Sequence, residues 1–177
     1  HTRKRGFVHN LFTHAFVLFL MPQLNKGGKY VFGLSIISPE NKIKIPDDTL
    51  KTYLQDNENK IIIFTGSKVT GGFCVTTKKL LLDSKLEHIL KECITLSNYE
   101  LKEGDFIKYK GRFYSWVSIS SDGIIQLPNS TMQFLNLTVG DILMSIKSSD
   151  IAFTMGAKGP LMDKVYAYKG DIKTFAV

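Results

Sequence analysis

The sequence predicts a mainly β protein with short helices, built from two copies of one strand-rich unit and a helical connector. Three observations point there. Segments of the 177-residue chain repeat at a constant offset of 82 positions. Within each copy, short apolar or alternating runs are separated by Ser, Pro, Asn, Asp and Gly, as in strands joined by tight turns. Between the copies the apolar positions switch to helical spacing. With 44% hydrophobic and 22% charged residues, the composition excludes disordered, collagenous and disulfide-stapled classes. A chain of this length buries roughly 70% of the surface its unfolded form exposes, so it can fold without metal or cross-link.

Ile37 to Leu54 aligns with Ile119 to Asn136. Ile37 falls on Ile119, Ser38 on Ser120, Ile43 on Ile125, Pro46 on Pro128 and Thr49 on Thr131. The alignment runs without a gap to Gly66-Ser67-Lys68 on Ser148-Ser149-Asp150, then resumes two residues out of step with Phe73 on Phe153 and Lys78 on Lys158. Upstream, Gly28-Lys29-Tyr30 resembles Gly111-Arg112-Phe113. Such self-similarity marks one supersecondary unit used twice.

Each copy opens on an alternating strand, Tyr30 to Ile37 or Phe113 to Ile119, which meets a turn of Ser, Pro, Glu and Asn or of Ser, Asp and Gly. A second strand follows, Lys42 to Ile45 or Ile124 to Leu127, ending at a proline. Proline fixes φ and lacks the N–H that a helix start leaves unpaired, so Pro46 and Pro128 are expected to open short helices over 46–54 and 128–135. After a polar turn come an apolar strand, Lys60 to Phe64 or Ile142 to Ile146, and a last strand, Gly72 to Thr76 or Ile151 to Met155.

The chain divides into a leader (1–20), a first repeat (21–78), a connector (79–107), a second repeat (108–158) and a tail (159–177). In the connector, Ser84 and Glu87 have capping-box spacing, and Leu86, Ile89, Leu90 and Cys93 line one face of a helix expected at 84–95. The tail predicts a helix from Leu161 to Tyr168 and an edge strand from Ile172 to Phe175. Cys74 and Cys93 have no metal-ligand spacing and read as buried free thiols of a reducing, cytoplasmic compartment.

The formal charge is +7, but Arg3, Lys4 and Arg5 supply three charges in a leader without acids. Residues 21–177 therefore carry only +4. The leader's apolar run, Ala15 to Met21, is too short for a membrane span and lacks a cleavage pattern. Residues 1–20 read as vector-derived or upstream sequence ahead of a start at Met21. The rival reading is an amphipathic anchor or partner-binding helix with Phe7, Val8, Leu11, Phe12, Ala15 and Phe16 on one face.

The second copy, with Gly123, Leu127-Pro128 and Leu137-Thr138-Val139-Gly140-Asp141, resembles the AbrB/SpoVT/MazE family of swapped-hairpin transcription factors, whose pattern is G-x-I-x-L/I-P followed by L-x-x-G-D-x-L. The first copy keeps Asn41-Lys42-Ile43-Lys44-Ile45-Pro46 but has Asn57-Glu58-Asn59 in place of Gly-Asp. The likeness covers about 100 of the 177 residues. It implies an AbrB-like swapped-hairpin β-barrel in which residues 28–78 and 110–158 interleave as a pseudo-dimer, with the connector helix outside. It also implies duplex DNA as partner, a possible homodimer of tandem-repeat chains, and no cofactor, metal or membrane.

Transferred by position, the DNA-binding candidates are Lys26, Lys29, Lys42 and Lys44 in copy one and Lys108, Lys110 and Arg112 in copy two. Each phosphate neutralised releases counterions. Arg is the usual reader of guanine, yet Arg112 is the one arginine after residue 20, so base readout would lean on Asn41, Gln126 or Asn129 as well. The alternatives are an antitoxin-like interaction module without DNA contacts and a small-molecule or nucleotide sensor. No enzyme is expected: His88 is the one histidine after residue 20, five positions from Cys93, with no carboxylate partner suggested by the sequence. Gly66 to Gly72 lacks the order of a phosphate loop and reads as a hairpin turn.

Overall fold

The computed structural model describes residues 30–55 and 58–177. The leader, Lys26 and Lys29 lie outside them. The first copy forms β1 (Val31–Ile36), a 3-10 turn (Pro39–Asn41), β2 (Lys42–Lys44), α1 (Asp47–Tyr53), β3 (Lys60–Thr65) and β4 (Phe73–Thr76). The connector holds α2 (Lys78–Leu82), α3 (His88–Glu92) and α4 (Ile94–Ser97). The second copy forms β5 (Ile107–Tyr109), β6 (Arg112–Ser118), β7 (Ile124–Gln126), α5 (Asn129–Phe134), β8 (Ile142–Lys147) and β9 (Phe153–Gly156), and the tail α6 (Pro160–Ala167) and β10 (Thr174–Phe175). The expected mainly β architecture with short helices is observed. β2 and β7 correspond residue for residue at the offset of 82, as do β3 and β8.

The two copies exchange strands. Eight strands form one sheet in the order β10-β1-β8-β9-β4-β3-β6-β5, and β2 and β7 form a separate ribbon. Leu34 pairs with Met144, and the equivalent pair is Ile62 with Trp116. Ser35 pairs with Leu143, and the equivalent pair is Ile61 with Val117. From Gly33 to Ile36 every such pair has a counterpart because the same segment meets its own copy in reverse. A bulge between Val31 and Gly33 then shifts the first copy by one residue, so Ile146 meets Val31 where Phe64 meets Tyr114. Ile43 opposite Ile125 and Cys74 opposite Thr154 are their own counterparts, which puts them on the pseudo-two-fold axis. Bonds outside the strands obey the same rule: the Ile45 N–H donates to the Gly123 carbonyl at 2.9 Å, and the Leu127 N–H to the Asn41 carbonyl at 3.1 Å.

The turns explain why those carbonyls are placed alike. Asn41 (φ 60) and Gly123 (φ 76) occupy equivalent left-handed positions, which Asn tolerates better than other side chains and Gly adopts freely. Both prolines sit one residue earlier than expected. Pro46 and Pro128 are N-caps in extended conformation (ψ 141 and 151), so they aim the helix start rather than join it.

The main core lies between the sheet's inner face and the ribbon with α1 and α5. Ile37, Ile43, Ile45, Ile61 and Phe73 meet their counterparts Ile119, Ile125, Leu127, Leu143 and Phe153 there. The outer face has two covers: α6 packs Leu161, Met162 and Val165 over β1 and β8, and the connector packs Leu81, Ile89, Leu90, Cys93 and Leu96 over β3 and β6.

Two expectations are corrected. The sheet does not close into a barrel: β10 and β5 pair with β1 and β6, the outer edges that closure would have to join. The connector is not one helix over 84–95. Ser84 accepts from the Leu86 N–H just after α2, and Glu87 pairs with Lys91 at 2.9 Å instead of folding back on Ser84, so the capping box does not form.

The on-axis position of Ile125 predicts that Ile125→Ala costs about 3 kcal/mol in urea unfolding, and that Ile43→Ala costs the same within about 1 kcal/mol. Because β1 and β6 each rely on the other copy, fragments 1–85 and 86–177 produced together should co-purify one to one. Each alone should fail to give a cooperative melt.

Candidate functional site

The basic residues expected to act together are dispersed. On β2, Ile43 is fully buried, so Lys42 and Lys44 point outward from the ribbon. Both ammonium groups meet carboxylates: Lys42 lies 3.1 Å from Glu40, and Lys44 lies 3.0 Å from Asp47 while donating to the Ile45 carbonyl. Lys44, through its hydrogen bond and then its charge, holds the Asp47 carboxyl below its ordinary value. The positions equivalent to Lys42 and Lys44 are Ile124 and Gln126, so the second copy brings no matching cations.

The amides considered for base readout are engaged within the ribbon. Asn41 donates through Nδ2 to the Leu127 carbonyl and to Asn129 Oδ1, and Gln126 donates to the Glu40 carbonyl. The groove beside them, about 950 Å³, is lined by Glu40, Glu103 and Asp122 against Lys42 alone, a mixed surface rather than a basic one.

The β5–β6 hairpin holds the other three candidates. Lys110 (φ 45) and Gly111 (φ 81) form its two-residue turn, whose paired left-handed conformations match the twist of the strands. Residues paired across the hairpin share a face. Tyr109 and Arg112 therefore lie on the connector side, and Lys108 and Phe113 on the other. The Arg112 guanidinium sits 5.5 Å from the centre of the Phe64 ring, and Lys110 stands 5.4 Å from that of Tyr109. Within the described residues neither cation, nor Lys108, has an ion pair.

Arg112 stands at the mouth of a cavity of about 520 Å³ over the centre of the sheet's outer face, in the seam between the two covers. Alternation along β4 and β9 builds its floor: Phe73, Val75, Phe153 and Met155 enter the core, while Cys74, Thr76 and Thr154 face the cavity. Phe64 and Tyr114 form one wall, stacked with ring centres 5.4 Å apart. The loops after β3 and β8 contribute hydroxyl groups, with Ser67 Oγ 3.0 Å from Thr70 Oγ1, and Ser148 hydrogen-bonded to Thr154. No Asp or Glu is among the lining residues.

Sequence reading did not anticipate this place. His88, which lacked any suggested partner, lines the cavity with its Nδ1 2.8 Å from the Tyr109 hydroxyl. The legible signal was the polar-apolar alternation of Phe73-Cys74-Val75-Thr76, which marks a strand with one face outside the core. The loop containing Gly66 to Gly72 is the β3–β4 connection, as expected, and its Gly72 has a reason beyond flexibility. At φ 62, a Cβ on it would lie 1.9 Å from the Met155 carbonyl oxygen of the other copy.

Both cysteines are free and buried. Burial pushes the Cys74 thiol above its ordinary value, against the opposing pull of its Thr154 hydrogen bond and the Arg112 charge. Burial likewise raises Cys93. Among the described residues no group of three His, Cys, Asp or Glu could hold a metal, and no helix is long and apolar enough to cross a membrane. No protein-family model matches the chain, and no curated protein is significantly similar to it.

Since the thiolate is the reactive form and both thiols are raised, iodoacetamide at pH 7.5 should modify folded Cys74 and Cys93 at least about tenfold more slowly than free cysteine. Urea should abolish the difference. Fast alkylation of Cys74 in the folded protein would contradict its assigned surroundings.

Proposed function

We propose that the chain is a cytoplasmic, non-catalytic DNA-binding regulator of the AbrB/SpoVT type, its two swapped-hairpin repeats acting as the two halves of one binding unit. The observation that carries this reading is the reciprocal register, with β1 on β8 mirrored by β6 on β3 and the ribbon meeting on Ile43 and Ile125. It supports a pseudo-dimer of interlocked hairpins, the arrangement that the sequence motifs imply.

The duplex contact is assigned first to the β5–β6 hairpin. A two-stranded ribbon fits the major groove, and here its tip carries Lys108, Lys110 and Arg112, none of them in an ion pair with a described carboxylate. Lys42 and Lys44 are secondary, because Glu40 and Asp47 compete with phosphate for them. Lys26 and Lys29 complete the proposed set. Fluorescence anisotropy with a mixed-sequence duplex should show binding that weakens steeply with salt. The triple change Lys108→Ala, Lys110→Ala, Arg112→Ala should weaken it at least about tenfold and flatten the slope of log K against log salt by about 0.9 for each phosphate no longer neutralised. Lys44→Ala should change affinity less than about threefold, as its ion pair is local. No duplex affinity at 50 mM salt, or full-strength binding by the triple variant, would overturn the reading.

A further inference from the structure

We propose that the cavity between the two outer covers binds one small organic anion per chain, an apolar body carrying a single carboxylate, phosphate or sulfonate group. This goes beyond the DNA reading and does not depend on it. The volume of about 520 Å³ suits a compact ligand of up to three rings. The chemistry is divided between two ends. Phe64, Tyr114, Leu81 and Ile89 offer an apolar slot above Cys74, while Arg112 and Lys110 stand at the mouth on the side of Ser67 and Thr70, with Ser148 and Ser149 at the far end.

The charge balance selects the sign of the ligand. Among the described residues Arg112 lies against the face of Phe64 and pairs with no carboxylate, which leaves its N–H donors for a bidentate anion. The charged residues among the described lining are Arg112 and Lys110, and the carboxylate that reaches Tyr109 is Glu92, so the balance at the cavity favours an anion over a cation. The floor is near-symmetric, since Cys74 and Thr154 share the pseudo-axis, while among the described lining residues the cations, Arg112 and Lys110, both come from the second copy.

The probe is 1-anilinonaphthalene-8-sulfonate, an aromatic monoanion whose fluorescence rises in apolar surroundings, compared with its uncharged analogue N-phenyl-1-naphthylamine. The sulfonate should bind one to one, at least fivefold more tightly than the neutral compound. Arg112→Gln, a change at an exposed side chain, should weaken the sulfonate at least fivefold and leave the neutral compound unchanged. Occupancy should slow alkylation of Cys74 at least fivefold while Cys93, which belongs to the connector and does not line the cavity, keeps its rate. Thermal melting of Arg112→Gln within 2–3 degrees of the parent would show that folding is not the cause. Any smaller charge preference, an Arg112→Gln effect below fivefold, or unprotected Cys74 overturns the proposal. No nucleic acid enters the experiment, so its failure is separable from failure of the DNA reading.

Discussion

Neither long strand pair of a repeat can be completed within that repeat. β1 finds its repeat partner in β8 of the other copy, and β6 finds its own in β3, because each copy's chain runs from its first strand into a turn and ribbon rather than back along the sheet. A strand edge left without a partner exposes a row of donors and acceptors, and burying those unpaired is costly. Most of the architecture follows. Reciprocal pairing forces the ribbon to cross on Ile43 and Ile125, makes the core a set of matched positions, and brings the Gly72 backbone against the Met155 carbonyl.

The same constraint explains what the sequence could tell. Core positions that share one volume must stay compatible in size and polarity, so Ile37 with Ile119 and Phe73 with Phe153 kept a visible register, and the strands and proline-led helices were legible from it. Features outside the repeat had no second copy to support them. β5 and β10, which leave the sheet open, are additions to its edges. The connector is not one helix because Ser84 accepts from the Leu86 N–H and Cys93 leaves helical geometry (φ −103, ψ 72) between α3 and α4, neither of which spacing alone reveals. The candidate basic residues were dispersed for a related reason. Their faces depend on the two-residue turn at Lys110-Gly111, which puts Arg112 and Lys108 on opposite sides of one hairpin. The cavity was the least legible element, since its walls come from both copies and from the connector.

Symmetry therefore governs the interior and not the charge. Lys42 and Lys44 have Ile124 and Gln126 as equivalents, so a ribbon built on a two-fold core carries its cations on one side. For a DNA-binding protein the site it reads mirrors its own symmetry. Under the proposed DNA reading, ribbon cations present in one copy alone would correspond to an unequal pair of half-sites, unlike the palindrome that a true dimer of identical hairpins would select.

Arg112 joins the two proposals. It belongs to the hairpin tip assigned to DNA and to the mouth of the cavity assigned to a small anion, and its guanidinium offers one planar set of donors. A phosphate of the duplex and the anionic end of a ligand cannot both take that set. Occupancy of the cavity must then lower affinity for the duplex, and by linkage the duplex must lower affinity for the ligand by the same factor. Such coupling needs no change of shape, because the competition is for one side chain. If both proposals hold, the lack of a second arginine gains a physical consequence: with no other guanidinium after residue 20 to substitute for it, a single bound small molecule would act on the proposed duplex-binding surface directly.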